Sequence, residues 1–265
     1  MKKIFNIIAG VGMRRFFIEQ LSDKEKMVLI TGKELHHLKD VLRLKKGNDV
    51  IVFDGKGLEF AGIIETVSKN EARIIIEKKL NISRESQFEI ILCQGLAKGE
   101  KTDLILQKTT ELGASKIIPF VTSRVVTKLK GEQIAKKTQR WQYIALEAAK
   151  QCKRSIIPKI EKPTTFAEIL SRWPADNKRY LKIIPWEGEK GNNLKDILKS
   201  DKFSGCVALI GPEGGFSEVE VVEAKKAGFI PVMLGPRILR TETASISVVA
   251  IIQYELGDMG RLEKP

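Results

Sequence analysis

The sequence predicts an α/β protein with a C-terminal, mostly parallel sheet and a small N-terminal β-barrel. Two observations support this fold class. From residue 88 onward, short apolar runs alternate with helical patterns, which is typical of a parallel sheet covered by helices. Before residue 82, short β-rich runs follow one another closely, which is typical of a small barrel. The polar stretch near residues 81–86 separates the two patterns, so we predict domains at 13–81 and 87–259.

The predicted barrel contains three clear β-rich runs and one helix. The runs are Val50–Asp54, Phe60–Val67 and Ala72–Glu77, and turns rich in glycine and asparagine separate them. Thr31 and Glu34 have the spacing of a capping box, so a helix is expected to begin there.

The second domain is predicted to alternate strands with helices throughout. Strands are expected at Phe88–Gln94, Ile117–Val121, Ile156–Ile160, Tyr180–Ile184, Cys206–Ile210 and Ile230–Leu234. Helices are expected at about 101–112, 133–152, from 165 onward, and at 193–198, 217–228 and 244–256. The last of these is apolar on nearly every side, which predicts that it is buried.

Two apolar runs end in Gly-Pro, at Gly211-Pro212 and at Gly235-Pro236, and a helix start follows each. Ser217 and Glu220 give the first helix a capping box. Glycine-rich turns at the carboxyl ends of neighbouring parallel strands are where open α/β sheets bind ligands. The alternative is that they are only tight turns. Neither a G-x-G-x-x-G nor a G-K-[ST] pattern is present, so an ordinary dinucleotide or P-loop site is poorly supported.

The charge indicates a polyanionic partner. A formal net charge of +13 favours RNA or an anionic membrane, and residues 98–154 hold 13 Lys/Arg against 5 Asp/Glu. We interpret this excess as an RNA-facing surface, with a solvated helix face as the alternative. The apolar stretch within Met1–Gly12 is too short to span a bilayer, so no membrane partner is expected.

Cysteine and histidine usage favours a reducing cytoplasm and no metal. Cys93, Cys152 and Cys206 are odd in number and widely spaced, so they form no disulfide framework. The histidines are limited to His36 and His37, so a His/Cys metal site is not expected.

Two long segments, Ile210–Ser217 and Leu234–Ala244, resemble the signature of the RsmE family of SPOUT methyltransferases. Two shorter matches are His37-x-x-x-Val-Leu-Arg43 and Gln107–Gly113. The resemblance implies methylation of N3 of a uridine in 16S ribosomal RNA of the small ribosomal subunit, with S-adenosylmethionine as the cofactor. It also implies a trefoil knot in the C-terminal part, a PUA-like RNA-binding domain at 13–81 and a homodimer.

Two features depart from the family's pattern. The usual family start resembles Met13–Phe17, so Met1–Gly12 is expected to be an extension. Lys150 stands where many members have a carboxylate, which leaves that position's role open.

The resemblance and the two turns together predict three sets of site residues. The catalytic residues are Arg240, which could stabilise a negative base, and Glu242, which could orient it or take its proton. A pair that only rigidifies the turn is the alternative for both, and Glu213 is a rival base. The predicted cofactor contacts are Pro185, Leu209, Ile210, Gly211, Pro212, Glu213, Gly214, Gly215, Leu234, Gly235, Ile238, Leu239, Thr241, Thr243 and Ala244. The predicted RNA contacts are Arg14, Arg15, Arg43, Arg124, Gln151 and Arg154.

Two other functions remain open from the residues alone. One is a SPOUT ribose 2′-O-methyltransferase, which would modify a different atom of the nucleotide. The other is an RNA-binding protein without catalytic activity, which cofactor binding would exclude.

Overall fold

The computed structural model describes residues 13–81, 84–122, 131–177, 179–199 and 203–260. These residues form two compact units. One contains the described residues up to Glu85 together with Ala149–Ile157, and the other contains Ser86–Ala148 and the described residues from Pro158 onward. The domain limits 13–81 and 87–259 stay a prediction.

The first unit is a curled five-stranded sheet in the order β1-β3-β4-β5-β2. Its strands are β1 (Arg14–Phe17), β2 (Met27–Ile30), β3 (Asp49–Phe53), β4 (Glu59–Val67) and β5 (Ala72–Lys79). The β1–β3 pair is parallel and the others are antiparallel. Two register shifts between β4 and β5 help the sheet to curl around a core that includes Phe16, Ile30 and Leu38.

The predicted barrel is therefore found as a half-barrel. The hydrogen-bonded order of the described strands ends at β1 on one side and at β2 on the other, so the sheet is curled but open. A short helix, α1 (Gly32–His36), continues into a π-helical turn over His37–Val41. Leu35 and Leu38 on this segment are buried in the unit's core.

The second unit is a parallel sheet in the order β12-β10-β11-β6-β7-β8, with β9 also paired to β7. The strands are β6 (Glu89–Gly95), β7 (Lys116–Val121), β8 (Lys159–Ile160), β9 (Thr164–Thr165), β10 (Tyr180–Pro185), β11 (Gly205–Ile210) and β12 (Ile230–Val232). Each pair between these strands is parallel. The predicted mostly parallel sheet is confirmed, and the knot stays a prediction.

Six helices accompany this sheet along the described chain. They are α2 (Lys101–Glu111), α3 (Gly131–Cys152), α4 (Phe166–Arg172), α5 (Leu194–Ile197), α6 (Glu218–Lys226) and α7 (Thr241–Glu255). The last residues of α3, from Ala149, belong to the first unit. No helix among the described residues is long and apolar enough to cross a membrane.

The two predicted capping boxes behave differently. At α6, Ser217 Oγ accepts a hydrogen bond from the Glu220 amide at 3.3 Å, and Glu220 Oε2 accepts one from the Ser217 amide at 2.8 Å. At α1 the box is absent, because Thr31 makes no side-chain cap bond. Glu34 instead accepts hydrogen bonds from the Phe17 amide and from Lys150 Nζ. The strand at Ile156–Ile160 is also shorter than predicted and is limited to Lys159–Ile160.

Candidate functional site

A cavity of about 590 Å³ opens at the carboxyl ends of β10, β11 and β12. Three loops form its wall: one from Pro185 to Lys190, one from Ile210 to Phe216 and one from Met233 to Arg240. The first turn of α7 and Lys101 complete the lining. This is the edge at which parallel sheets hold ligands, so the two Gly-Pro turns meet at the predicted place.

Glycine is required at two positions on this wall. Gly215 has a φ of +62° and Gly235 a φ of +115°, which side chains of L-residues rarely adopt. A Cβ atom built on either glycine would meet no heavy atom within 4 Å. The requirement is therefore conformational, and it lets the backbone itself form part of the wall.

Glu213 is held in place across the cavity mouth. Its Oε1 accepts a hydrogen bond from the Lys98 amide at 2.9 Å and one from Lys101 Nζ at 3.3 Å. Burial raises the pKa of Glu213, but these hydrogen bonds outweigh burial, so its pKa is lowered overall. Glu213 is thus ionised at neutral pH, and its lowered proton affinity makes it a weak base.

Arg240 and Glu242 lie at the start of α7. Arg240 is the N-cap residue, its side chain is exposed, and it lines the cavity. Glu242 follows the lining residue Thr241 in the chain but does not itself line the cavity; it is half-buried, and its Oε2 is shielded from solvent without a hydrogen-bond partner among the described residues. The two side chains do not form an ion pair with each other in this structure. The alternative of a pair that only rigidifies the turn is therefore not supported.

Most of the predicted cofactor contacts come together on this wall. Those that line the cavity are Pro185, Ile210, Gly211, Pro212, Glu213, Gly214, Gly215, Leu234, Gly235, Ile238, Leu239, Thr241 and Ala244. Leu209 does not, because it is buried in the core of the sheet with Phe216 and Val221. Thr243 does not either, because it is exposed on the outer side of α7.

Several lining residues were not predicted. Glu189 and Lys190 belong to the loop after β10, and the start of this loop, Pro185 to Gly188, is a third candidate ligand loop in the sequence because it follows a strand. Lys101 lies about 110 residues away in sequence from the turn it contacts, and no local pattern distinguishes it from the other lysines.

Comparison with known proteins decides the family. A model described as an RNA methyltransferase domain matches residues 84–253, and one described as an RNA methyltransferase PUA domain matches residues 30–77. The ribosomal RNA small subunit methyltransferase E of Bacillus subtilis is 34% identical over 92% of this chain and 97% of its own length. The chain belongs to the ribosomal RNA small subunit methyltransferase E family.

Solved structures agree with this family assignment. A ribosomal RNA small subunit methyltransferase E from Neisseria gonorrhoeae, bound to S-adenosyl methionine, matches with a TM-score of 0.85 and 32% identity. The match covers 93% of this chain and 99% of that one. A methyltransferase from Legionella pneumophila, solved with the bound cofactor SAM, also matches with a TM-score of 0.85 and 32% identity, covering 94% of this chain and 100% of that one. The family resemblance carried by the two Gly-Pro segments is confirmed.

The predicted RNA contacts of this family member separate into two groups. Arg14, Arg43 and Gln151 are exposed on the first unit. Arg43 has a φ of +52°, so its backbone is left-handed. Arg15 and Arg154 are buried, with 7% and 5% of their surfaces exposed. Arg124 lies outside the described residues.

Arg15 and Arg154 belong to a buried ionic network in the first unit. Arg15 Nη1 pairs with Glu59, and Arg15 Nη2 donates to the Arg154 carbonyl at 2.8 Å. Arg154 donates through Nε and Nη2 to Glu85 Oε2 at 2.9 and 2.8 Å. Burial lowers the pKa of Arg15, and Glu59 only partly offsets this effect. Their contacts are those of structural residues that anchor the segment at 154 to the sheet.

Lys150, which departs from the family's pattern, is also paired in the first unit. Its Nζ donates to Glu34 Oε1 at 2.8 Å, and its side chain is only 8% exposed. The lysine thus complements a carboxylate on α1.

Proposed function

We propose that this protein transfers a methyl group from S-adenosylmethionine to N3 of a uridine in 16S ribosomal RNA of the small ribosomal subunit. The observation that carries the proposal is the cavity built by two Gly-Pro turns at the carboxyl ends of adjacent strands. Relatives with about a third of their residues in common are named for small-subunit ribosomal RNA methylation, and two matching structures hold the cofactor.

The lining residues fit S-adenosylmethionine. The volume of about 590 Å³ lies within the range of about 300–1,000 Å³ typical of small-molecule sites. Leu234, Ile238 and Leu239 offer apolar surface for a flat adenine, and the Gly215 and Gly235 backbones allow close approach. Glu187 on the wall offers a carboxylate to a cationic ligand. When bound, the cofactor supplies an electrophilic methyl group.

The chain's own residues supply positioning and charge stabilisation. Uracil N3 is a weak nucleophile until its proton leaves, and negative charge then develops on the uracil oxygens. The exposed Arg240 guanidinium on the cavity wall can donate hydrogen bonds to those oxygens. Glu242, with Oε2 unpaired, can orient the base or accept the proton. Glu213 is already occupied by Lys98 and Lys101, so we assign it to holding the loop.

RNA binding is assigned to the predicted contacts other than the two buried arginines. Arg14, Arg43 and Arg124, with Gln151, are proposed to contact the ribosomal RNA, and Arg15 and Arg154 are reassigned to structural roles because they are buried and paired. We propose a cytoplasmic location, which ribosomal RNA as the proposed substrate and three free cysteines support.

A second copy of the chain is the proposed partner of α7. Ile251, Tyr254 and Met259, in and just after this helix, are 39%, 64% and 41% exposed, and they form an apolar surface that a homodimer would cover. Sedimentation should show a dimer for the wild type and a monomer for Tyr254→Glu. A monomeric wild type would remove the dimer from the proposal.

Primer extension on 16S ribosomal RNA tests the reaction. A methyl group on N3 blocks Watson–Crick pairing, so reverse transcriptase should stop one nucleotide before the modified uridine. Cells lacking the protein should lose one stop, the wild-type gene should restore it, and Arg240→Ala should not. A stop that persists without the protein would refute the substrate. If the methyl group that depends on this protein is found on the ribose 2′-oxygen, the result would instead support the alternative, ribose 2′-O-methylation.

Calorimetry with S-adenosylmethionine tests the site separately. Ala244→Leu places a larger side chain on the cavity wall at a helical position, so we expect at least a tenfold loss of affinity. Ala250→Leu, on the same helix but away from the lining, is the matched control. Equal affinity for both folded variants would place the cofactor elsewhere.

A further inference from the structure

A buried amide lies directly behind the cavity wall. Gln94 is near the carboxyl end of β6, in the centre of the sheet, with Ile210 of β11 on one side and Pro119 of β7 on the other. Its side chain belongs to a residue that is only 2% exposed. A buried amide at such a position must find hydrogen-bond partners, and these partners define its role.

These partners form a chain of hydrogen bonds, here called the relay, which runs from Ser245 through Gln94 and Thr241 to the Gly211 carbonyl. Ser245 Oγ lies 2.5 Å from Gln94 Oε1 and 2.8 Å from the Thr241 carbonyl, so its one hydrogen is shared between these two acceptors. Gln94 Nε2 donates to the Gly95 carbonyl at 2.9 Å and to Thr241 Oγ1 at 3.0 Å. Thr241 Oγ1 in turn donates to the Gly211 carbonyl at 2.6 Å. Because the Thr241 hydroxyl has a single hydrogen and directs it to Gly211, the group facing it from β6 must be a donor.

The relay ends on both of the turns that enclose the cavity. Gly211 begins the first Gly-Pro turn, and Thr241 begins α7 after the second, and both line the cavity. Gln94 and Ser245 do not line it.

The backbone confirms how closely β6 supports the first turn. A Cβ atom built on Gly95 would lie 2.5 Å from the Pro212 nitrogen and 2.9 Å from the Gly211 carbonyl carbon. Only glycine permits this approach, so the end of β6 presses directly against the Gly211-Pro212 peptide.

We propose that Gln94 is a positioning residue for the methyl-donor site. Through Thr241, Gln94 holds the Gly211 carbonyl and the first turn of α7 in register. The inference rests on the proposed function, because it assumes that the methyl donor occupies this cavity. Gln94 itself does not touch the ligand. It sets the distance between the two turns, and a displaced wall weakens binding even though the lining side chains are unchanged.

The polarity of the relay allows a specific test with Gln94→Glu. An ionised carboxylate has no hydrogen to donate, so the Thr241 hydroxyl would turn to the carboxylate and release the Gly211 carbonyl. A protonated carboxyl group regains one donor and matches the amide in shape. Burial raises the pKa of a carboxyl group, so partial recovery is expected at mildly acidic pH.

Gln253 provides a matched control. It is fully buried, lies near the other end of α7, and donates through Nε2 to the Gly113 carbonyl at 3.3 Å. Gln253→Glu therefore makes the same chemical change at a buried amide of α7 itself, away from the cavity. Both variants are expected to lower the thermal midpoint.

Calorimetric titration with S-adenosylmethionine at pH 8 and pH 5.5 distinguishes the outcomes. We expect Gln94→Glu to lose affinity about tenfold relative to wild type at pH 8, as for one lost buried hydrogen bond, and to recover part of it at pH 5.5. Gln253→Glu should stay within about twofold of wild type at both values. Wild-type affinity for Gln94→Glu at pH 8, or equal losses in both variants, would overturn the inference. A wild type that does not bind would instead refute the proposed function.

A second pair of variants covers the case in which Gln94→Glu does not fold. Thr241→Val removes the hydroxyl at nearly constant shape, and Thr241→Ser keeps it. The relay predicts that Thr241→Val loses about tenfold in affinity and that Thr241→Ser retains the wild-type value. Full affinity in a folded Thr241→Val variant would overturn the inference.

Discussion

Two adjacent arginines on β1 provide a direct test of which cations are structural and which face RNA. Successive side chains of a strand point to opposite faces, and Arg14 is exposed whereas Arg15 is buried. Arg15→Ala and Arg14→Ala are thus the same chemical change, one residue apart. We expect the first to lower stability and the second to lower RNA affinity.

The magnitude for Arg15 follows from its partners. Its loss removes the ion pair to Glu59, the hydrogen bond to the Arg154 carbonyl and the stacking over Phe53, whose ring centre is 4.6 Å from the guanidinium carbon. Removing one partner of a buried ion pair costs about 3–5 kcal/mol. Arg84 lies 3.9 Å from Glu59 Oε2 and still compensates part of the charge, so we expect a cost of about 3 kcal/mol.

The assay must report on the first unit. Trp141, Trp173 and Trp186 all lie in the second unit, so tryptophan fluorescence would not detect the change. Native-state hydrogen exchange of the β4 amides measures the free energy of opening in the right place. Arg14→Ala should change this free energy by less than about 0.5 kcal/mol and reduce the slope of log RNA affinity against log salt by about 1.

A double variant distinguishes the buried charge from simple loss of packing. Arg15→Met with Glu59→Leu removes both charges, and such replacements are often neutral or stabilising. We expect the double variant to recover most of the stability lost in Arg15→Ala. A cost below about 1 kcal/mol for Arg15→Ala would refute the reasoning, and so would a double variant less stable than the single one.

Two further predictions concern Glu213 and α3. Glu213→Gln should lower the thermal midpoint at pH 7, and the difference from wild type should disappear as the pH falls through the lowered pKa of Glu213, because an acid with a lowered pKa contributes its full stabilisation above its ordinary value of 4.5 and loses it as the pH falls through the lowered value. A gap that persists unchanged at pH 3 would contradict this origin. Lys136→Gln with Lys137→Gln should reduce the salt slope of RNA binding by about 2, or about 1 for each charge, whereas Arg140→Gln should reduce it by much less than about 1 because Arg140 already pairs with Asp103. A full reduction of about 1 for Arg140→Gln would show that this pair opens on RNA binding.

Sequence patterns predicted the parts of the fold whose cause is local. Ser217 and Glu220 satisfy each other across one helical turn, so their spacing was sufficient. Thr31 and Glu34 have the same spacing, but Glu34 accepts hydrogen bonds from Phe17 and Lys150. Partners from elsewhere in the chain outweighed the local cap, and spacing alone contains no information about them.

The periods of strands and helices explain why two predicted cofactor contacts lie off the cavity wall. Ile210 lines the cavity and Leu209 belongs to the core, as the alternation of a strand requires. Thr241 and Ala244 face the cavity from one side of α7, whereas Thr243 is on the other side. The prediction took whole runs of consecutive residues as cofactor contacts and so ignored these periods. A stricter use of them would have excluded both residues.

Arg15 and Gln94 show what periodicity cannot supply. Arg15 differs from Arg14 chiefly through its pair with Glu59, which is 44 residues away and separated from β1 by β3 in the sheet. Gln94 acts through Thr241 and Ser245, about 150 residues later in the chain. In each case a buried polar group must be satisfied by a partner that the topology brings to it, and leaving that partner alone would cost more than the interaction itself contributes. The identity of a buried polar residue is therefore constrained by a distant one. For this reason the variants that change both members of such a pair, or reverse its polarity, are more informative than single truncations.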